Sequence, residues 1–166
     1  MEQRKDKEKT LSAGALLFVA CWTAYCASYL GRINYTAALT AIVADGVFSK
    51  PHAGFIGTVY FFCYGAGQIF SGILGDRVSP YKMIGAGLAG TVCANIIMPL
   101  CSSSYITMSI IWGLNGIVQS MLWTPVLYII ATVLPEEQRS RACLHIASSF
   151  PIGSLLSYVI SAAAIK

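Results

Sequence analysis

The sequence predicts an all-α integral membrane protein with five transmembrane helices, and three observations support this fold class. Hydrophobic residues fill 56% of the 166 positions, and the mean hydropathy is +0.66. Charged residues make up 11% of the chain, well below the roughly 25% of an ordinary soluble domain. Long segments carry no charge, and a helix needs about 20 apolar residues to cross a bilayer.

The charge-free segments define the individual helices. We predict helices over approximately 11–44, 53–75, 82–101, 105–134 and 139–165, after a basic segment at 1–10. The apolar stretch from 83 to 135 is too long for one crossing, and it divides at 99–104, where a proline and three serines predict a turn. Residues 11–166 therefore form the predicted transmembrane bundle.

Basic residues are concentrated in alternate connections between the predicted helices. Because short loops rich in Lys and Arg remain on the cytoplasmic side, we predict a cytoplasmic amino terminus in a multi-pass protein of the cell membrane. The net charge of +4 follows from this bias, so we expect a lipid bilayer as partner and no nucleic acid. The predicted cytoplasmic residues are Arg4, Lys5, Lys7, Lys9, Arg77, Lys82, Arg139 and Arg141, whereas Lys50 and Lys166 lie on the opposite side.

Processing signals and catalytic motifs have little support. The apolar run at the amino terminus is too long for a signal peptide, and FVAC at 18–21 fits a lipoprotein cleavage box poorly. The six cysteines include no C-x-x-C pair, which favours packing roles over a metal or redox site. The sequence contains no catalytic nucleophile, paired-carboxylate or phosphate-loop motif, so we expect no enzyme and no cofactor.

One charged residue lies inside the first predicted helix, in the segment SYLGRINYTAAL at 28–39. A charge in hydrocarbon costs several kcal/mol, and Arg32 has no carboxylate available within the helices because Asp45 and Asp76 lie at helix ends. Intramembrane ionisable residues generally face a cavity and mark a substrate path. A guanidinium offers a planar fork of donors suited to phosphate or carboxylate, so the sequence predicts an anion site at Arg32.

Polar residues recur every three or four positions in four of the predicted helices, which places them on one face of each helix. The third helix has only Thr91 and Asn95, and we expect it to be peripheral and lipid-facing. For these two residues and the serines we favour an alternative role, hydrogen bonding between helices. The four polar faces are Tyr25, Tyr29, Arg32 and Thr36; Tyr60, Tyr64 and Gln68; Asn115, Gln119 and Trp123; and His145, Ser148 and Ser149.

These faces define the predicted site. We expect the substrate-binding residues around Arg32 to be Tyr29, Tyr64 and Gln68, which line the site, and Asn115, Gln119 and Trp123, which support it. Tyrosine and glutamine side chains would orient an anion through neutral hydrogen bonds without adding charge.

Glycines and prolines predict how the helices pack. Glycines permit the close backbone approach that membrane helices use for association. Pro125 and Pro151 fall inside the fourth and fifth helices, where a lost backbone hydrogen bond permits a kink. The glycines concerned are Gly65, Gly67, Gly72, Gly75, Gly85, Gly87, Gly90, Gly113 and Gly116.

The short connection between the second and third helices reads GILGDRVSPYK, residues 72–82. It resembles the signature loop of the major facilitator superfamily, and PEEQRSRA at 135–142 resembles the loop that joins helices 4 and 5 in that superfamily. Asp76 lies at a helix carboxyl end, where the helix dipole disfavours an anion, so it needs basic partners. The resemblance implies a cytoplasmic gating loop formed by Gly72, Gly75, Asp76, Arg77, Lys82, Arg139 and Arg141.

Three further segments, SYLGRINY, YGAGQIFSGILGDRVSP and GLNGIVQSMLWTP, resemble the organophosphate:phosphate antiporter family. The resemblance implies that Arg32 binds the substrate phosphate with a second arginine from the carboxyl-terminal half, and that Tyr64 lies near the site. Gln68 stands where well-known members carry a lysine, and Phe150 stands where a histidine is expected. These departures leave open a carboxylate as the bound anion.

The superfamily has twelve helices in two halves that rock about the substrate, and this chain is expected to be an incomplete amino-terminal bundle that lacks the carboxyl-terminal half. The resemblance implies exchange of a phosphate ester for inorganic phosphate by alternating access. The alternatives are a symporter for a carboxylate or sugar acid, a non-transporting phosphate-ester sensor, and a module that works only with another half-protein.

Overall fold

The computed structural model describes residues 2–164, with side chains from residue 12 onward. Within that range there are helices and no strands, and five segments are long and apolar enough to cross a membrane. This confirms the all-α, five-span prediction. The helices are α1 (Glu2–Ala44), α2 (Lys50–Gly75), α3 (Pro80–Ile97), a 3-10 turn (Met98–Cys101), α4 (Tyr105–Val133), α5 (Glu136–Ile146) and α6 (Ser149–Ala164).

The helix bounds differ from the predicted ones at both ends of the chain. Helix α1 begins at Glu2, so the basic segment 1–10 continues into the first helix; the side chains of Arg4, Lys5, Lys7 and Lys9, like Lys166, lie outside the described part. The predicted fifth helix is divided into α5 and α6 at 147–148. Pro151 explains the division, because proline has no N–H to donate to Ala147 four residues earlier and its ring clashes with that carbonyl.

Helix α4 packs against both α2 and α3, and α1 packs mainly along α6. Two glycines bring α2 and α4 into backbone contact. A Cβ atom at Gly67 would lie 2.5 Å from the hydroxyl of Ser120, and one at Gly116 would lie 2.5 Å from the carbonyl oxygen of Tyr60. The predicted packing role is thus confirmed at these positions, whereas a Cβ at Gly65 would meet nothing within 4 Å.

Helix α3 is less peripheral than predicted. A Cβ at Gly87 or Gly90 would clash with α4, at Leu122 and Val118 respectively. The amide of Asn95 also reaches α1, as described below. Only the outer face of α3, which includes Val92, Ile96 and Ile97, is exposed. The small residues therefore draw the helix into the bundle.

Buried side chains form three clusters along the bundle. The cluster toward the α4–α5 connection contains Cys21, Val126, Ile129, Ile130, Leu134, Ala142 and Ile146. The cluster toward the 3-10 turn contains Tyr35, Ile56, Tyr60, Met98, Met108 and Trp112. A small middle cluster contains Tyr25, Tyr29 and Leu122. Helix α1 contributes to all three, and Arg32 lies between Tyr29 and Tyr35 in its sequence.

Candidate anion-binding site around Arg32

The half-buried guanidinium of Arg32 lies among four aromatic rings. Its central carbon is 4.4 Å from the ring centroid of Tyr64, 5.6 Å from Tyr29, 5.7 Å from Tyr60 and 5.9 Å from Phe61. A cation within about 6 Å of an aromatic face is attracted by the ring quadrupole. These rings offset part of the cost of placing the charge in an apolar environment.

Aromatic rings do not neutralise the charge. Between residues 9 and 135, the carboxylates are Asp45 and Asp76; Asp45 follows the last residue of α1, and Asp76 caps α2. Both side chains are exposed at helix ends. Arg32 therefore carries a positive charge inside the membrane span. Aromatic contacts reduce the free-energy cost of this charge, and a bound anion would compensate it.

The structure brings two of the predicted lining residues to Arg32. Tyr64 has the ring closest to the guanidinium. Tyr29, buried at 6% exposure, is the next nearest, and its hydroxyl donates to that of Tyr25 at 3.4 Å. Gln68 is half-buried one helical turn beyond Tyr64, and within residues 12–164 no hydrogen bond engages its side chain.

The predicted supporting residues on α4 contact the backbone of α1. Asn115 donates a 2.9 Å hydrogen bond to the carbonyl of Gly31, and Gln119 donates one of the same length to the carbonyl of Ser28. Their exposures are 0% and 3%. In this conformation both amides fix α1 beside Arg32 from within the helix interface, so any effect on an anion would be transmitted through α1.

Trp123 acts through a ring contact. Its centroid is 4.9 Å from that of Tyr25, which in turn packs edge-on against Tyr29 at 5.4 Å. Phe150, on α6, lies on the other side of Tyr29 with a centroid distance of 5.3 Å. Phe150 occupies the position where the family resemblance implies a histidine, so this position borders the ring of Tyr29.

The polar residues of the α5–α6 region join helices or satisfy their own turn. Ser148 accepts a 3.0 Å hydrogen bond from the indole of Trp22 and donates to the carbonyl of His145. Ser149 donates to the carbonyl of Ile146. The bond from Trp22 to Ser148 agrees with the predicted interhelical role of the serines, whereas the hydroxyl of Ser149 bonds locally, three residues back along the chain.

The predicted gating residues lie partly on helices rather than in loops. Only Asp76 and Arg77 fall in the connection between α2 and α3. Gly72 and Gly75 belong to α2, Lys82 to α3, and Arg139 and Arg141 to α5. The α5 helix begins earlier than predicted because Glu136 and Glu137 occupy its first turn, where acidic residues are favoured.

Asp76 and Arg139 are not paired in this conformation. Asp76 is exposed, and beside it a cavity of about 70 Å³ separates the end of α2 from Pro125 and Tyr128 of α4. Arg139 donates instead to the carbonyl of Leu134 at 3.4 Å. A contact between the two side chains remains a prediction.

Sequence periodicity missed two members of the ring cluster and one polar contact. The sequence pattern puts Tyr60 on the polar face of the second helix without a role, and it does not distinguish Phe61. Asn34 was also missed; its amide donates to the Asn95 side-chain oxygen. Tyr60 and Phe61 could have been found from their position one helical turn before Tyr64. The contact of Asn34 could not, because it depends on how α1 and α3 pack together.

Comparison with known proteins identifies the class. The profile of the Major Facilitator Superfamily matches residues 21–166, so the chain belongs to this superfamily of membrane transporters. No solved structure matches the chain.

Curated relatives narrow the resemblance. A probable hexose phosphate transport protein of Chlamydia pneumoniae is 28% identical over 87% of this chain and 32% of its own length. The membrane sensor protein UhpC of Escherichia coli is 31% identical over 62% of this chain and 23% of its own length. A glycerol-3-phosphate transporter of Bacillus subtilis is 30% identical over 66% of this chain and 25% of its own length. These relatives confirm the resemblance to the organophosphate:phosphate antiporter family, and the chain spans about a third or less of their length.

Proposed function

We propose that this chain is the amino-terminal part of a transporter that exchanges a phosphate ester for inorganic phosphate across the cell membrane. The observation that carries the proposal is the half-buried guanidinium of Arg32, which is surrounded by aromatic rings. Between residues 9 and 135 the carboxylates are Asp45 and Asp76, both at helix ends. Relatives named for hexose phosphate and glycerol 3-phosphate transport support the choice of a phosphate ester.

Arg32 is the proposed anchor for the phosphate group. Its planar fork of N–H donors can form two parallel, charge-assisted hydrogen bonds with phosphate oxygens. Tyr29, Tyr64 and Gln68 orient the bound anion, while Asn115, Gln119 and Trp123 keep α1 in position. A second arginine from the carboxyl-terminal half would complete the site.

Alternating access requires the two halves of such a transporter to rock about the anion. In this proposal the amino terminus is cytoplasmic, and the gating residues at the ends of α2 and α5 pair in one of the alternating conformations. Asp76 is the anion of that latch, and Arg77, Arg139 and Arg141 are the candidate cations.

The experiment is phosphate exchange in proteoliposomes, with the product of the complete gene that encodes this chain. Vesicles loaded with inorganic phosphate should take up labelled phosphate, and external glycerol 3-phosphate or hexose 6-phosphate should compete. Arg32→Ala should abolish uptake, whereas Thr132→Ala, on an exposed face of α4, serves as the control and should retain it. Near-normal uptake by Arg32→Ala would remove Arg32 from the site.

Internal phosphate separates exchange from symport. An exchanger needs phosphate in the opposite compartment, whereas a symporter for a carboxylate or sugar acid is indifferent to it. The similarity to the sensor UhpC favours a second candidate, a phosphate-ester sensor. A sensor would bind the ester with no flux in the same vesicles.

A further inference from the structure

We propose that Tyr60 is a further substrate-contacting residue, whose hydroxyl donates a hydrogen bond to a phosphate oxygen held by Arg32 and thereby favours phosphate over carboxylate. This inference rests on the proposed function and deepens it. The residue is 2% exposed, and within the described part of the chain its buried hydroxyl has no hydrogen-bond partner. A buried hydroxyl without a partner loses its interaction with water without compensation.

Other buried tyrosine hydroxyls of the bundle are engaged. Tyr35, in the same buried cluster, donates to the carbonyl of Ala53 at 2.8 Å. Tyr25 and Tyr29 share a hydrogen bond at 3.4 Å. Tyr60 therefore departs from its neighbours, and it does so at the position adjoining the guanidinium.

Packing holds Tyr60 in place. Its ring contacts Trp112 at 5.5 Å and Phe61 at 5.3 Å, and its backbone lies directly against Gly116 of α4. The Tyr60 ring centroid is 5.7 Å from the guanidinium carbon of Arg32. In this proposal the packed ring presents its hydroxyl to the anion at little further cost in conformational entropy, because its neighbours already restrict its rotation.

The number of oxygens on the anion then distinguishes the substrate classes. A carboxylate has two oxygens, and the fork of one guanidinium can serve both. A phosphate ester presents three terminal oxygens, so at least one remains for another donor. A neutral hydroxyl beside Arg32 meets this requirement without adding charge, which is consistent with glutamine rather than lysine at position 68.

The test compares Tyr60→Phe with Tyr35→Phe, a matched control in the same buried cluster. The product of the complete gene is reconstituted in phosphate-loaded vesicles, and uptake of labelled phosphate is measured with glycerol 3-phosphate or glycerate as competitor. Tyr60→Phe should raise the KM for phosphate and the inhibition constant of glycerol 3-phosphate about tenfold. The inhibition constant of glycerate should change less than twofold, and Tyr35→Phe should leave all three constants unchanged.

Each contrary outcome has its own meaning. Unchanged constants in Tyr60→Phe, with uptake still abolished in Arg32→Ala, would overturn the role of Tyr60 and leave the proposed function in place. Equal losses for glycerol 3-phosphate and glycerate would overturn the selectivity for phosphate. An unsubstituted protein that neither binds nor exchanges phosphate would overturn the proposed function and this inference together.

A second readout does not depend on transport. Fluorotyrosine incorporated at position 60 retains the ring and the hydroxyl, and its ¹⁹F resonance reports on hydrogen bonding. Titration with inorganic phosphate should shift this resonance, and the shift should disappear in Arg32→Ala. A resonance that ignores saturating phosphate in an exchange-competent protein would contradict direct contact.

Discussion

The side-chain amide of Asn95 donates a 3.0 Å hydrogen bond to the backbone carbonyl of Gly31, the residue that precedes Arg32. Asn115 donates to the same oxygen from α4 at 2.9 Å. Helices α1, α3 and α4 thus meet at one oxygen atom, and the position of the guanidinium depends on all three.

Replacement of Asn95 by alanine should weaken this junction. The substitution removes the bonds to Gly31 and to Asn34, and interhelical hydrogen bonds in membranes contribute about 0.6 to 2 kcal/mol each. We expect the free energy of unfolding in detergent micelles to fall by about 1 to 4 kcal/mol. Thr132→Ala is the control, since that hydroxyl bonds only within its own helix. Equal stability of the two variants would contradict the junction.

Replacement of Gly116 by alanine should separate α2 from α4. The added methyl group would lie 2.5 Å from the Tyr60 carbonyl oxygen and 3.1 Å from the Tyr64 nitrogen, and backbone atoms cannot move aside without shifting the helix. Overpacking of this kind costs about 1 to 3 kcal/mol. Thermal unfolding should reveal the loss.

Gly85→Ala provides the contrast, because a Cβ there meets nothing within 4 Å and alanine is the better helix former. That variant should be as stable as the unsubstituted protein or more so. If the two alanine variants unfold at the same temperature, close packing at Gly116 is refuted.

Arg32→Lys should retain the charge and lose most of the anion affinity. Lysine presents a compact ammonium in place of the planar fork, so it cannot form the paired hydrogen bonds of a guanidinium. Loss of one charge-assisted bond predicts a rise in the KM for phosphate of about tenfold or more. Full activity of the lysine variant would mean that charge alone suffices.

Cysteine labelling should test the orientation. Cys143 is exposed on α5, near the predicted cytoplasmic arginines, whereas the half-buried Cys101 belongs to the 3-10 turn toward the other end. In variants that retain a single cysteine, a membrane-impermeant maleimide should label Cys143 from the cytoplasmic side and Cys101 from the opposite side. The reverse pattern would invert the topology.

The number of spans was predictable because it depends on composition and segment length. The close contacts at Gly67 and Gly116 were also predictable, since interfaces between membrane helices are enriched in small residues. The same argument fails at Gly65 and Gly85, where an added Cβ meets nothing within 4 Å. Arg32 was predictable as well, because the free-energy cost of a charge inside the membrane identifies it from its own helix alone. Each of these properties is local to one segment of the chain.

The surroundings of Arg32 were only partly predictable. Periodicity assigns a residue to a face of its own helix, but it does not say which helix that face meets. Tyr60 was therefore left without a role although it lies as close to Arg32 as Tyr29 does. Asn115 and Gln119 have the spacing of lining residues, yet both contact the backbone of α1. The packing face of helix α3 was harder to predict, because it combines Met83 with the small or polar residues Gly87, Thr91 and Ala94, which carry a weak apolar signal.

The interruption at 147–148 gives the last span two mechanical parts. A continuous α-helix is held along its length by backbone hydrogen bonds, and Pro151 removes one of them. On one side of this interruption, α6 packs closely against α1, where a Cβ at Gly153 would lie 2.6 Å from the carbonyl oxygen of Cys26. On the other side, α5 packs through Ala142 and Ile146 into the cluster that contains Cys21 and Leu134. The arginines on α5 are therefore not joined to α6 by an unbroken helix.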